Sequence, residues 1–296
     1  MIISTKKRTR NQIDGCAIYY KKDKFELSEY VPLEYFSYGV NVLNRDNVAI
    51  VAKFKLKNYT DNAFVVATTH LLYNPRRNDV RLAQMQTLLS SIDKVAYNEQ
   101  TETYYPIILT GDFNETPDGP VFNLITKGYF RYALYNTFSP SVENPNVLIP
   151  RWMGITDDCQ YVSVLDRRNK KKPIFDETQT TPEILSEYRF SSGTLHHNLR
   201  LMSVYDNIKE NNQFEATTQH DNWISVDYMF YSLVKNSTTN KNEEGDLKLL
   251  SKLRLPTEGE CKNKIKHLPN FACGSDHLSL LAKFVLKLKN SSGDQK

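Results

Sequence analysis

The stretch between residues 48 and 128 constrains the fold most, because it switches between strand-type and helix-type patterns. Residues 48–57 and 63–69 are β-branched or alternating, and the polar segment 58–62 between them predicts a β-hairpin. Residues 105–110 are typical of a short buried strand. A helical pattern separates this strand from the hairpin, so the order predicts an α/β layered domain.

The helical pattern covers residues 79–97, in which apolar residues recur at steps of three and four and therefore share one face. Asn78 or Asp79 is a suitable N-cap. A second, short helix is predicted between Pro120, a residue suited to a first helical position, and Gly128, which is typical of a helix end. The apolar residues of the first helix are Leu82, Met85, Leu89, Ile92 and Ala96.

The second half of the chain is less regular. Residues 139–218 are rich in Pro, Asn, Ser and Thr, which is typical of a surface insertion, and 233–246 is a second polar insertion. Strands are predicted at 223–232 and 277–288. We find no internal repeat and no second domain, so the sequence predicts one domain over 1–288 and a polar tail at 289–296.

Composition excludes several classes of protein. The mean hydropathy of −0.53 and the lack of a long apolar run exclude a transmembrane helix, so no membrane partner is expected. The four cysteines lack a CxxC spacing, and the polar N-terminus is no secretory signal, which predicts a reducing, intracellular location. The cytoplasm is favoured, with nucleus and mitochondrion as alternatives. A net charge of +4 permits a polyanionic partner.

Four polar motifs stand where predicted strands start or stop, which is where clefts open in layered α/β folds. Together they hold two His, three Asp and one Asn, a set suited to metal-assisted phosphate chemistry. Each motif alone is a common strand end or turn, and only the ordered set is specific. The motifs are Thr69-His70-Leu71, Gly111-Asp112-Phe113-Asn114, Val226-Asp227-Tyr228 and Ser275-Asp276-His277.

This ordered set resembles the endonuclease/exonuclease/phosphatase superfamily, over about residues 7–288 with gaps across the two insertions. A narrower resemblance, to the angel protein group, lies in THLLYNPRR at 69–77 followed by DVRLAQ at 79–84, with further matches at 8–17, 43–48 and 268–270. That group is similar to CCR4-type deadenylases and nocturnin. The resemblance implies a DNase I-like α/β/β/α four-layer sandwich and a Mg²⁺-dependent hydrolase, with Mn²⁺ as a substitute metal. The implied substrate is RNA, with removal of a 2′,3′-cyclic phosphate or 3′-exonuclease action, and translation or mRNA-decay factors as conceivable partners.

The resemblance also implies roles for individual residues. Asp112 would position or deprotonate the attacking water, Asn114 would hold a phosphate oxygen, and His70 would contact the scissile phosphate. His277 would stabilise the charge that develops on the phosphate, with Asp227 fixing its orientation. The implied metal ligands are Asp112, Asn114 and Asp276.

The sequence departs from the superfamily pattern at its start. The superfamily carries an Asn-bearing strand and a Leu-Gln-Glu strand upstream of the region that matches residues 8–17, and its Glu is the main magnesium ligand. Neither stands in the printed sequence, so we expect an N-terminally incomplete member that lacks the first strands and a helix of the sandwich. The alternative function is therefore a catalytically inactive RNA-binding or translation-linked adaptor.

Four further residues are candidates for substrate binding, each with a structural alternative. Arg76 and Arg77 could clamp a nucleic-acid phosphate or lie in a solvated loop that caps the next helix. Phe271 could stack on a base or pack against the rim of the sheet. Asn47 lies before a strand, where Asn is also an ordinary turn former.

Overall fold

The structure is a computed structural model that describes residues 2–9, 12–134, 147–169, 188–208 and 212–288. Four helices lie in these ranges: α1 (Asn78–Ala96), α2 (Pro120–Lys127), α3 (Val162–Arg168) and the single turn α4 (Glu258–Glu260). The strands in chain order are β1 (Ile2–Lys7), β2 (Gly15–Tyr20), β3 (Phe25–Glu34), β4 (Val48–Leu56), β5 (Tyr59–His70), β6 (Tyr97–Asn98), β7 (Thr103–Tyr104), β8 (Ile107–Asp112), β9 (Tyr129–Phe130), β10 (Leu195–His196), β11 (Leu201–Ser203), β12 (Thr218–Gln219), β13 (Trp223–Ile224), β14 (Asp227–Ser232), β15 (Val234–Lys235), β16 (Asn242–Glu243), β17 (Leu247–Lys252) and β18 (Ala282–Leu286).

A six-stranded sheet in the order β11-β14-β8-β5-β4-β3 forms the centre of the molecule. All neighbouring strands are antiparallel except β5 and β8, which are parallel and are connected through α1. The predicted hairpin at 48–69 is confirmed, with a tighter turn than expected, because β5 already begins at Tyr59. The mixed α/β class is also confirmed.

Different elements pack on the two faces of this sheet. Ala49 and Val51 of β4 face the main core with the helices α1 and α2, whereas Val48 and Ile50 face the hairpin β1–β2. The hairpin β17–β18 packs on this second face at the other end of the sheet, against β8 and β14. Within the described ranges, these two hairpins represent the second sheet of the expected sandwich.

Helix α1 is confirmed, and two of its details differ from expectation. It begins at Asn78 with Arg77 as N-cap, and no cap side chain bonds to the helix backbone. Every residue from Asp79 to Ala96 except Lys94 is buried, so the helix is enclosed on all sides rather than packed by one face. Helix α2 matches its prediction, with Pro120 at its start and Gly128 as a left-handed C-cap.

Three sequence expectations for the second half need correction. Residues 139–218 are not all peripheral, because β11 is an edge strand of the central sheet and Leu195 and Leu199 are buried in the main core. The strand expected at 223–232 is interrupted at 225–226, between β13 and β14. The strand expected at 277–288 is confined to Ala282–Leu286, since residues 278–281 form a loop. The basic residues 170–172, the segment 135–146 and the tail 289–296 lie outside the described ranges.

No helix in the described ranges has the length and apolar character needed to span a membrane. The single-domain boundary at residue 288 stays a prediction.

Gly128 offers a modest test of the fold, because it adopts φ of 79° and a Cβ there would lie 3.3 Å from the His197 carbonyl oxygen. We expect Gly128→Ala to lower the free energy of unfolding by about 1–2 kcal/mol, the cost of a left-handed L-residue. Urea denaturation measures this. Gly274→Ala is the control, because its Cβ would meet open space at an ordinary φ, and an equal loss in both variants would contradict the prediction.

Candidate active site

Three of the predicted residues lie side by side at one edge of the central sheet. His70 ends β5 and pairs with Asp112 of the parallel strand β8, while Asp227 of β14 pairs with the same Asp112 from the other side. The register of three adjacent strands therefore places an imidazole and two carboxylates in one row. His70 Nε2 lies 3.5 Å from Asp112 Oδ2.

Gly111 permits this close arrangement. A Cβ at Gly111 would lie 2.1 Å from the Thr69 carbonyl oxygen, and the residue has φ of 147°. Only glycine fits there, because any side chain would push β5 and β8 apart. This glycine therefore serves a close approach of two backbones inside the sheet.

His277 joins the row from a distant segment. Its Nδ1 lies 2.8 Å from Asp227 Oδ2, which makes Asp227 the group that orients the ring. Ligand atoms of Asp112, Asp227 and His277 all lie within 4.8 Å of one another. Segments that are 115 and 50 residues apart along the chain therefore converge on one site, as the ordered set of motifs predicted.

Thr217 and Thr218 hold the His277 segment in place. Thr218 Oγ1 donates to the Asp276 carbonyl oxygen at 2.8 Å, and Thr218 forms an isolated bridge with His277. The backbone N–H of Asp227 donates to Thr217 Oγ1 at 3.3 Å. Sequence reasoning missed these two threonines, since a Thr-Thr pair carries no local signal of a tertiary role.

The electrostatics of the row favour a bound cation. Burial raises the pKa of Asp112, and the neighbouring Asp227 carboxylate raises it further, whereas the His70 imidazole lowers it. The hydrogen bond that the His277 ring donates to the Asp227 carboxylate raises the pKa of His277. Two carboxylates this close repel each other, and a divalent cation relieves that repulsion. Carboxylate oxygens are also the ligands that Mg²⁺ prefers, so the donor set fits a hard divalent metal.

Asn114 and Asp276 lie at the margin of the row. Asn114 adopts a positive φ of 50°, and its backbone N–H donates to Asp112 Oδ1 at 2.8 Å, which forms a tight turn at the end of β8. Its side-chain amide donates to the Leu71 carbonyl oxygen at 3.0 Å. Asp276 is 75% exposed and lies 4.0 Å from His277 Nε2.

The predicted substrate-binding residues differ in exposure and in their contacts. Phe271 and Arg76 are exposed on loops, while Arg77 forms an ion pair with Asp79 at 2.9 Å. Asn47 is buried, and its amide donates to the His70 carbonyl oxygen at 3.0 Å. The Gln84 side chain donates from Nε2 to the side-chain oxygen Oδ1 of Asn47, and its Oε1 accepts from the backbone N–H of Leu72. Asn47 thus anchors the end of β5 together with α1.

The buried pair Arg81–Glu115 supports both motif loops and was missed by sequence reasoning. Arg81 Nε lies 3.3 Å from Glu115 Oε2, and its other donors bond the carbonyl oxygens of Leu72, Asn74 and Pro75. Glu115 accepts the N–H groups of Val121 and Phe122 at the start of α2. Burial raises the pKa of Glu115 to about 7. One ion pair therefore connects the loop after His70 with the loop after Asn114.

Comparison with known proteins agrees with this geometry. Residues 5–277 match the model of the Endonuclease/Exonuclease/phosphatase family. The chain belongs to this family. It is 37% identical over 304 residues to protein angel homolog 2 of Bos taurus, an alignment that covers 96% of the chain and 55% of that protein. The chain thus spans about half the length of the curated relatives it matches.

Solved structures show the same relationship. The crystal structure of ANGEL2, a 2′,3′-cyclic phosphatase, in complex with adenosine-2′,3′-vanadate matches with a TM-score of 0.76 and 34% identity, over 97% of this chain and 75% of that one. This match places the chain in the angel group of the family and confirms the DNase I-like fold. The human nocturnin catalytic domain shares the fold at 19% identity and a TM-score of 0.54, over 97% of this chain and 72% of that one.

A substitution at Asp227 tests its role in orienting the His277 ring. We expect Asp227→Asn to lower phosphoesterase kcat by about 10–100-fold, the usual cost of removing a group that orients a functional histidine. The same change should lower the pKa of His277, because the carboxylate stabilises the charged imidazolium. Steady-state kinetics and NMR titration of the His277 ring measure the two effects. An unchanged His277 pKa would contradict the assigned contact.

Proposed function

We propose that the chain is a divalent-metal-dependent phosphoesterase that acts on RNA 3′ ends and removes terminal 2′,3′-cyclic phosphates. The observation that carries the proposal is the convergence of Asp112, Asp227 and His277 within 4.8 Å, with His70 beside Asp112. Support for the substrate comes from the ANGEL2 relative, which is described as a 2′,3′-cyclic phosphatase. Mg²⁺ is the proposed cofactor, since the ligands are mainly hard oxygen atoms.

The residues divide into groups that hold the metal and groups that act on the ester. Asp112, Asn114 and Asp276 would hold the metal, which when bound would polarise the phosphate and lower the pKa of water. Asp112 also positions the attacking water, and Asn114 holds a phosphate oxygen. His70 contacts the scissile phosphate from the β5 side of the row.

His277 acts on the opposite side of the ester. Its Nδ1 is occupied by Asp227, so the Nε2 atom is the one that faces the substrate and stabilises the charge that develops on the phosphate. Asp227 fixes the tautomer of the ring, as the acidic member of a hydrolytic triad does. Arg76, Arg77 and Phe271 would contact the RNA beyond the reacting nucleotide, and Asn47 would contribute through the end of β5.

The test uses an RNA oligonucleotide that ends in a 2′,3′-cyclic phosphate, with the chain and Mg²⁺. We expect the cyclic phosphate to be opened and removed, and mass spectrometry of the RNA product measures this. Chelation of the metal should abolish the activity. Asp112→Asn should abolish both Mn²⁺ binding, measured by calorimetry, and turnover. Asp14→Asn is the matched control, because that carboxylate pairs with Arg8 on the surface.

The outcomes discriminate between functional classes. The proposal would be overturned in favour of an RNA-binding adaptor by two results together. The chain would bind RNA without cleaving it, and wild type and Asp112→Asn would show no metal-dependent difference in RNA binding. Stepwise shortening of an oligo(A) substrate would replace cyclic-phosphate removal with 3′-exonuclease action.

A further inference from the structure

An aromatic pair bridges two segments next to the candidate active site. The ring centroids of Tyr73 and His220 lie 5.4 Å apart with an interplanar angle of 56°. Tyr73 is 61% exposed, and His220 is also exposed. Part of each residue is therefore open to solvent.

Both rings are carried by segments that supply or hold the reacting groups. Tyr73 follows His70 by three residues, so their Cα atoms lie within about 10 Å of each other. His220 follows Thr218 by two residues, and Thr218 bridges to His277. The pair therefore connects the His70 side of the row with the His277 side.

Residues near both rings in the sequence line one cleft. Pro75 and Asn78 contribute from the loop that carries Tyr73, Ile224 and Val226 contribute from the chain that follows the His220 turn, and Asn114 also lines the cleft. This cleft, which includes Asn114 of the candidate site, therefore lies close along the chain to both rings.

Hydrogen bonds hold the backbone at or beside both ring positions. Arg81 bonds the carbonyl oxygens of Leu72 and Asn74, the two neighbours of Tyr73. His220 lies in the turn of the β12–β13 hairpin, whose Trp223 is buried, and its N–H donates to the Asn222 carbonyl oxygen.

We propose that Tyr73 and His220 form a stacking platform for the base of the 3′-terminal nucleotide. Flat bases stack on aromatic rings with little dependence on base identity, which suits an enzyme that acts on RNA ends of different sequence. This inference rests on the proposed function, because the nucleotide is the one whose phosphate the row of reacting groups would hold.

The experiment compares a substrate that has a base with one that lacks it: adenosine 2′,3′-cyclic phosphate and 1-O-methylribose 2′,3′-cyclic phosphate. The double variant Tyr73→Ala/His220→Ala should raise KM for the nucleotide about tenfold and leave KM for the sugar phosphate unchanged. Tyr73→Phe should retain the wild-type KM, because stacking needs the ring and not the hydroxyl.

The matched control is a second Tyr–His pair, in which Tyr129 is exposed and His196 is half-buried. Tyr129 and His196 have ring centroids 6.1 Å apart on the two-stranded β9–β10 sheet, beyond the far end of α2. Tyr129→Ala/His196→Ala should leave both KM values unchanged. A rise for both substrates in the Tyr73/His220 variant, or for neither, would overturn the platform.

Calorimetric binding separates this inference from the proposed function. If wild type hydrolyses neither substrate, the proposed function fails, and the platform is then judged on affinity alone. Tighter binding of the nucleotide than of the sugar phosphate, lost only in the Tyr73/His220 variant, would support it. Equal affinity for the two ligands in wild type would overturn it.

Discussion

His277→Ala is expected to lower kcat for a 2′,3′-cyclic phosphate about 10²–10⁴-fold, with a small change in KM. The size follows from the usual contribution of a positioned acid–base or charge-stabilising side chain. His277 is the one imidazole that contacts Asp227 at 2.8 Å, and it lies within 4.8 Å of Asp112. Removal of its ring therefore deletes charge stabilisation in the transition state and leaves the other groups of the row in place.

The measurement is single-turnover cleavage of the cyclic-phosphate RNA, which reports the chemical step directly. His267→Ala is the control, because that histidine is exposed ten residues earlier in the same region and has no assigned role. Circular dichroism verifies that both variants are folded. Equal rates for His277→Ala and wild type would contradict the assigned role, whatever the fate of the metal site.

The convergence of the site was predictable in part, because three of the four motifs stand at strand ends, whereas His277 lies in a loop before β18. His70 and Asp112 follow apolar runs that alternation identifies, and strands in one sheet bring their ends to a common edge. The register that aligns His70, Asp112 and Asp227 in one row was not predictable. It depends on two pairings between residues 42 and 115 positions apart along the chain, which local patterns do not encode.

The central hairpin and the helices were predictable for a related reason. Residues 48–69 and 78–96 carry their own periodicity, so local spacing defines them before any tertiary contact forms. The limits of that reasoning are clear in α1, where periodicity suggests one buried face and the structure buries Arg81 and Gln84 as well. Their partners lie in loops, and no local pattern indicates them.

The polar second half shows why composition misled. Residues 195–203 lie within the stretch rich in Pro, Asn, Ser and Thr, yet Leu195, Leu199 and Leu201 are buried in the main core. Single leucines at irregular spacing carry no periodic signal, although each fills space beside α2 or β14. Asn47 is a similar case, because a turn-forming residue type conceals a buried contact with the end of β5.

Arg81→Met is expected to lower the free energy of unfolding by about 3–5 kcal/mol, the cost of breaking a buried ion pair by removing one partner. Both Arg81 and Glu115 are almost completely buried, with side-chain exposures of 2% and 4%. The variant leaves the Glu115 carboxylate without its guanidinium and removes the donors to the carbonyl oxygens of Leu72, Asn74 and Pro75. Methionine fills much of the volume, so the loss reports polar contacts more than a cavity.

Arg167→Ala is the matched control, because its pair with Glu99 at 2.8 Å is more than half exposed on both sides. Exposed pairs of this kind contribute about 0–1 kcal/mol, so urea denaturation should separate the two variants clearly. The double variant Arg81→Met/Glu115→Gln should lose less than the sum of its single variants, since removal of both charges leaves no unpaired ion. Additive losses would show that the two side chains act independently, and the ion pair would then not be what joins the loop after His70 to the loop after Asn114.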